Sequence, residues 1–168
     1  MLNLEFLEDH NIIPAIIPVD LTTGANTGDR VHMKNYERCV FVLLTAIGTA
    51  GDDPVISAQQ HTAASGGTSA DLLFTRIRHK VGATALSAVE DFTLVEQTAA
   101  ASYDSDPVAG AENQAMFVIE IRASDLTDGY DWISFNVADV GAAAQLGAAL
   151  YIMCEPAYAG ATPPQAIA

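Results

Sequence analysis

An all-β fold is what this sequence predicts: an antiparallel β-sandwich or jelly-roll-like single domain with extended N- and C-terminal arms. Three observations carry that expectation. Apolar runs are short and are separated by clusters of Gly, Asp, Pro, Ser and Thr. Two of the runs, residues 114–122 and 132–138, alternate apolar and polar with a period of two. The chain has 168 residues, enough for one ordinary domain and too few for two comfortable ones.

Taken in order, the elements begin with Leu2, Leu4 and Phe6, whose alternation fits one short strand. Residues 12–18, IIPAIIP, hold two prolines four apart, so they are extended and cannot be a helix interior. Residues 1–29 thus read as a strand followed by an extended arm, ahead of a sandwich over 30–155. Residues 38–47, RCVFVLLTAI, are apolar on both faces and predict a central strand covered on both sides; GTAGDDP ends it with a strong turn signal. Strands follow at 55–60, 72–81 and 92–97, with a Ser/Gly/Thr loop over 62–69. GATALSAVED (82–91) fits either a loop or one helical turn.

In 114–122, Phe117, Ile119 and Ile121 share one face, and Glu120 and Arg122 share the other. The turn DLTDGYD leads to 132–138, where Ile133, Phe135 and Val137 point inward and Trp132, Ser134 and Asn136 outward. DVGAAAQLG is ambiguous, because its glycines bracket it too tightly for more than a turn. AALYIMCE (148–155) is the last strand, and 156–168, with Pro163 and Pro164, reads as a flexible or extended tail. About eight strands result. The predicted core is Val40, Val42, Phe117, Ile119, Ile121, Ile133, Phe135, Leu150 and Ile152.

Composition narrows function by exclusion. Half the residues are apolar, but 29 of them are Ala, so large apolar side chains are scarcer than that fraction suggests. Twenty-one acids against seven bases give −14. Non-specific nucleic-acid binding, which needs Lys and Arg to replace counterions, is excluded, and docking on anionic lipid is disfavoured. The most apolar stretch, 140–154, is too short to span a membrane and is interrupted by Gln145. Glu5, Glu8 and Asp9 stand where a secretory leader carries its cationic and apolar regions, which predicts folding in a cytoplasm or export by another route. Cys39 and Cys154 sit in apolar runs without a CxxC partner and read as buried, reduced thiols.

Catalytic signatures are missing. Ser65-Gly66-Gly67 lacks the frame of a hydrolase elbow, and no phosphate-binding glycine motif occurs. His10, His32, His61 and His79 have no metal-ligand spacing and read as surface or boundary residues. Asp125, Asp128 and Asp131 cluster around a glycine, as calcium ligands do, but not with EF-hand spacing; a turn whose Asp caps its own backbone is the plainer reading. No catalytic residue, metal or cofactor is predicted.

The bases are unevenly placed. All seven fall between Arg30 and Arg122, and six form two clusters: Arg30, Lys34 and Arg38, then Arg76, Arg78 and Lys80. The second set is spaced by two, so a strand would line it along one face. Pairing with nearby carboxylates and a partner-binding cationic stripe are both open readings of this pattern.

The ordered set PAIIPVDL, NTGDRVHMKNYERC, GTAGDDPVISAQQ, LLFTRIR, FVIEIRASDLTDGYDWISFNVADVG and AQLGAALYIMCEPAY resembles a family of small virion structural proteins of tailed bacteriophages, of the capsid decoration or cement type. The resemblance runs from about Pro14 to Tyr158. It implies a non-enzymatic protein on the outer surface of the virion capsid that binds the major capsid protein. Local three-fold positions of such a shell and the Pro-rich arms at both ends predict self-association, as a homotrimer, and the charge balance predicts no nucleic acid and no membrane as partners. His32 and Met33 depart from the pattern, standing where Ser or Trp and a Leu-like residue are expected. Under this reading Arg30, Lys34, Arg38, Arg76, Arg78 and Lys80 are the candidate capsid-binding residues. A carbohydrate- or host-binding module using Trp132 or Tyr130, and a low-copy head or tail completion protein, are the alternatives.

Overall fold

The long apolar run becomes the middle of a six-stranded antiparallel sheet. In the computed structural model, which describes residues 5–82, 91–108, 110–138, 141, 143–158 and 166–167, the order is β1 (His10–Asp20), β12 (Leu146–Pro156), β4 (Tyr36–Thr45), β10 (Gln114–Arg122), β7 (Phe74–Gly82) and β8 (Thr93–Ala100). Against it packs a second sheet of short strands: β2 (Asn26–Thr27), β11 (Trp132–Val137), β5 (Val55–His61) and β6 (Ser69–Asp71). There β3 (Val31–His32) also pairs with β11, and β9 (Ser102–Asp104) with β5. The β-sandwich is therefore present, with twelve strands among the described residues. The additional ones are mostly two or three residues long, too short for any periodicity to announce.

Aromatic rings fill the space between the sheets. Phe41 stacks on Phe135 at 4.4 Å between centroids, and Tyr151 and Phe74 lean on Phe135 at 6.4 Å. Tyr151 also ties the sheets together, its hydroxyl oxygen accepting the Phe135 backbone N–H at 2.9 Å. Gly28 lies beside this tie. A Cβ there would run into the Phe135 carbonyl and sit 2.8 Å from the Tyr151 hydroxyl, so the site requires glycine.

Five predicted core residues, Phe117, Ile119, Ile121, Ile133 and Phe135, are buried; four are not. Val40 and Val42 on β4, and Leu150 and Ile152 on β12, are half-buried on the outer face of the large sheet. The inward residues are instead Cys39, Phe41 and Leu43, with Ala149, Tyr151 and Met153. Both strands are apolar on both faces, so alternation cannot choose, and the inward set is the one holding the aromatic rings.

Other local expectations also change. Phe6 belongs to a helical turn, α1 (Phe6–Asp9), rather than a strand; Glu8 accepts the Glu5 N–H at 2.8 Å and starts it. Residues 10–20 are extended as their prolines require, yet they lie within the sandwich, hydrogen-bonded to β12 as its edge strand. Exposed Pro14 and Pro18 suit an edge, where a missing N–H blunts strand addition. The tail returns at Ala166, which is buried and accepts the His32 N–H at 2.7 Å. Ser134 shares the outward side of β11 with Trp132 and Asn136 as expected, yet it is buried, as are His61 and His79. Residues 83–90 of the expected loop or turn, and most of the tail, lie outside the described residues. No helix among the described residues is long and apolar enough to cross a membrane. Both cysteines are free and buried. Cys39 sits opposite Met153 and Cys154 opposite Arg38, so the thiols point to opposite faces of the sheet.

Candidate functional site

The outer face of the six-stranded sheet carries an apolar field that nothing in the chain's described residues covers. Register places its side chains in rows. One row runs Pro14, Leu150, Val42, Val118, Arg78 and Leu94; a second runs Ile12, Ile152 and Val40 to Glu120; a third joins Ala148, Leu44, Met116 and Lys80. Within the second bulge of β1, Ile17 is 72% exposed, and Leu146 at the start of β12 is 63% exposed. Contiguous apolar surface on a sheet face marks an interaction site more than scattered residues do.

Beside this field stand the bases of β7. Arg76 and Arg78 are exposed and Lys80 is half-buried, while Ile77 and His79 between them are buried. The three therefore share the outer face. Their surroundings differ. Arg76 donates to Glu96 on β8 through Nε at 3.0 Å and a terminal nitrogen at 2.9 Å. Lys80 lies over the Phe92 ring, 4.6 Å from its centroid. Arg78 has no ion pair with a described residue.

The first basic cluster does not stay together. Arg30 serves the chain's own loop, donating to the Ala63 and Gly66 carbonyls at 2.8 Å each and to the Ser69 hydroxyl at 3.4 Å. Lys34 is exposed in the turn before β4. Arg38 does reach the outer face, where it pairs with Glu155 at 2.9 Å and Glu120 at 3.5 Å. Arg122, opposite Arg38 and 3.8 Å from Glu120, completes that edge of the face. It was not among the candidate residues, although its alternation with Ile121 already places it outward.

A cleft of about 740 Å³ opens in this face between β7 and β10. Leu73, Arg76, Arg78, Glu120, Arg122 and Asp125 are among its lining. Its cause is topological. The β10–β7 ladder stops at Val118 and Arg78, although β10 continues to Arg122 and β7 begins at Phe74. Before Phe74 the chain crosses from the second sheet, and after Arg122 it turns away through a 3-10 turn, Ala123–Asp125. Gln60 holds both crossings. Its amide donates to the Asp71 carbonyl at 3.2 Å and the Thr127 hydroxyl at 3.0 Å, and its carbonyl accepts the Thr127 N–H at 2.8 Å.

The remaining candidates are structural. His61 bridges the Ser69 hydroxyl at 2.7 Å and the buried Ser134 hydroxyl at 2.9 Å. Burial, with the Arg30 charge nearby, holds this imidazole below the ordinary histidine pKa. Both of these partners are hydroxyls, where a catalytic histidine is oriented by a carboxylate. Trp132 is stacked against His32 at 4.5 Å, which takes up one face of the single indole a sugar platform would use. Met33, the other departure from the phage pattern, is buried in the core. Asp125 accepts the Arg122 N–H at 2.8 Å and so caps its own turn. Among the described residues, no three His, Cys, Asp or Glu side chains converge as metal ligands.

No protein-family model and no curated protein matches the chain. Among solved structures it is similar to the SPBc2 prophage-derived protein YomS, at 12% identity and a TM-score of 0.44, over 86% of this chain and 93% of that one.

Proposed function

We propose that this chain is a non-enzymatic structural protein of a tailed-phage virion, which decorates the outside of the capsid and cements it by binding the major capsid protein lattice through the outer face of the six-stranded sheet. The observation that carries this is the uncovered apolar field on β1, β12, β4 and β10, flanked by the cations of β7. Apolar area supplies affinity, and a row of charges beside it fixes orientation and speeds encounter. The rest of the surface of a −14 chain faces solvent and keeps crowded copies apart. A homotrimer at local three-fold positions of the shell places three such faces on neighbouring subunits at once. The resemblance of its sequence phrases to those of phage decoration proteins supports the same reading.

Co-sedimentation with undecorated heads of the same phage tests it. Val42→Glu with Leu150→Glu abolishes attachment, and Arg76→Glu with Arg78→Glu weakens it, while circular dichroism and the melting temperature show a folded protein. Attachment of the parent loosens between 0.1 M and 1 M salt, as the Debye length falls from about 10 Å to about 3 Å. Heads carry many copies rather than the few of a completion protein. Folded Val42 and Leu150 variants that decorate heads as the parent does would remove the outer face from the interaction.

A further inference from the structure

We propose that the cleft between β7 and β10 receives an extended, acid-bearing peptide segment of a protein partner, which adds main-chain hydrogen bonds to the open strand edges and sets its carboxylates on Arg78 and Arg122. This deepens the docking reading, and it rests on that reading only for the identity of the chain that supplies the segment.

The geometry points there in three ways. First, continuing the β10–β7 register past Val118 and Arg78 would set Glu120 across from Arg76 and Ile121 across from Thr75, but the ladder ends before them. At this end the two strands face a cleft instead of each other, each still paired on its far side, β10 with β4 and β7 with β8. Strand edges without a neighbour are templates for an added strand, and a partner's extended segment is the usual occupant. Second, about 740 Å³ is room for a short segment or a small ligand. Third, the cations around the cleft differ in how far they are committed. Arg76 is held by Glu96, and Arg38 by Glu155 and Glu120. Arg122 makes one long contact of 3.8 Å to Glu120, and Arg78 has no ion pair with a described residue. Asp125, the remaining carboxylate of the lining, accepts a backbone N–H at 2.8 Å.

Among the described residues two guanidiniums thus lack a close carboxylate, which they would bind in a fork that lysine cannot form. At 0.1 M salt the acids more than about 10 Å away are largely screened, which leaves the lining itself, with Arg76, Arg78 and Arg122 against Glu120 and Asp125, net positive. An alternating segment suits the site because every second side chain of a strand points to one face, toward the arginines, while the backbone meets the edges. Leu73, 55% exposed at the mouth, gives an apolar residue of the segment a place to rest.

Fluorescence polarisation of a labelled octapeptide of alternating Thr and Glu with the purified full chain tests this without any phage particle. Binding is expected for this peptide and not for its Thr-Lys counterpart. Arg78→Glu and Arg122→Glu each weaken it about tenfold or more, the scale of a lost charge-assisted hydrogen bond, while Lys34→Glu leaves it unchanged. N-methylation of alternate peptide backbone nitrogens also abolishes it. No binding of the Thr-Glu peptide, equal binding of the Thr-Lys peptide, or indifference to Arg78→Glu in a folded variant overturns the proposal. Undiminished binding of the N-methylated peptide overturns the strand-edge part. Peptide binding by a protein that fails to attach to heads leaves the cleft standing and removes the docking reading; attachment to heads without peptide binding does the reverse.

Discussion

Two adjacent residues of β4 offer a sharp check on which face of the large sheet is open. Leu43 points between the sheets and is fully buried, whereas Val42 points outward between Leu150 and Val118 and is half-buried. Leu43→Ala leaves a cavity in a packed interior and costs about 2–5 kcal/mol. Val42→Ala removes two methyl groups, worth about 1.6 kcal/mol if fully buried at about 0.8 kcal/mol per carbon, and so about 0.8 kcal/mol at half burial with no cavity closed over it. In a domain of this size each kcal/mol moves the melting temperature by about 2–4 °C. Leu43→Ala should therefore lower it by about 4–20 °C, and Val42→Ala by about 2–3 °C. Urea unfolding at several protein concentrations, with calorimetry, measures both. Equal losses for the two variants, or a Val42 loss that grows with protein concentration, would mean that the outer face is already covered in the free protein and is not a docking surface.

Other consequences are simpler to state. Tyr151→Phe removes the oxygen that the Phe135 N–H donates to and leaves a buried donor unpaired, a loss of about 1–3 kcal/mol readable in urea. Arg30→Gln releases the carbonyls of Ala63 and Gly66, so limited proteolysis should cut within 62–69 while the melting temperature changes little. Burial keeps His61 and His79 below the ordinary histidine value of 6.5, so the unfolded chain takes up protons at a higher pH than the folded one. Stability should be level above about pH 6.5 in their respect and fall as the pH drops below it, and His79→Leu should flatten that slope in urea titrations at successive pH values.

How much of this was legible depended on the contrast between the two faces of each strand. In β10, Glu120 and Arg122 alternate with Ile119 and Ile121, and the inward face was read correctly from the sequence. In β4 and β12 both faces are apolar, so Val40, Val42, Leu150 and Ile152 looked like core when they form the outer field. The same feature that hid the core therefore marks the candidate site. Arg76, Arg78 and Lys80 were placed on one face by their spacing of two, and they share one. Arg30 was grouped with Lys34 and Arg38 by proximity in the chain, but its role depends on a loop more than thirty residues away, which spacing does not reveal. The cleft was invisible for a similar reason: it follows from where Gln60 fastens two crossings, at Asp71 and Thr127, and a glutamine in a strand carries no sign of that.

That fastening gives the face its division of labour. Were β7 to follow β10 along its whole length, Glu120 would stand across from Arg76 and the two charges would satisfy each other within the sheet. Because the crossings before Phe74 and after Arg122 pull the strands apart, Arg76 turns to Glu96 on β8, Glu120 turns to Arg38, and Arg78 has no carboxylate partner among the described residues. Among the described residues one end of the sheet thus stays a continuous apolar surface, suited to broad contact, while the other presents Arg78 above the strand edges where the β10–β7 ladder has ended, suited to a directional one. The two kinds of contact make different demands on a partner: a broad surface tolerates exchange of one apolar side chain for another, whereas a guanidinium beside a strand edge requires a carboxylate at one position of one extended segment. Under the proposed docking, specificity for a particular partner would reside in the cleft and most of the contact area in the apolar field, so variants of the two should separate choice of partner from strength of attachment.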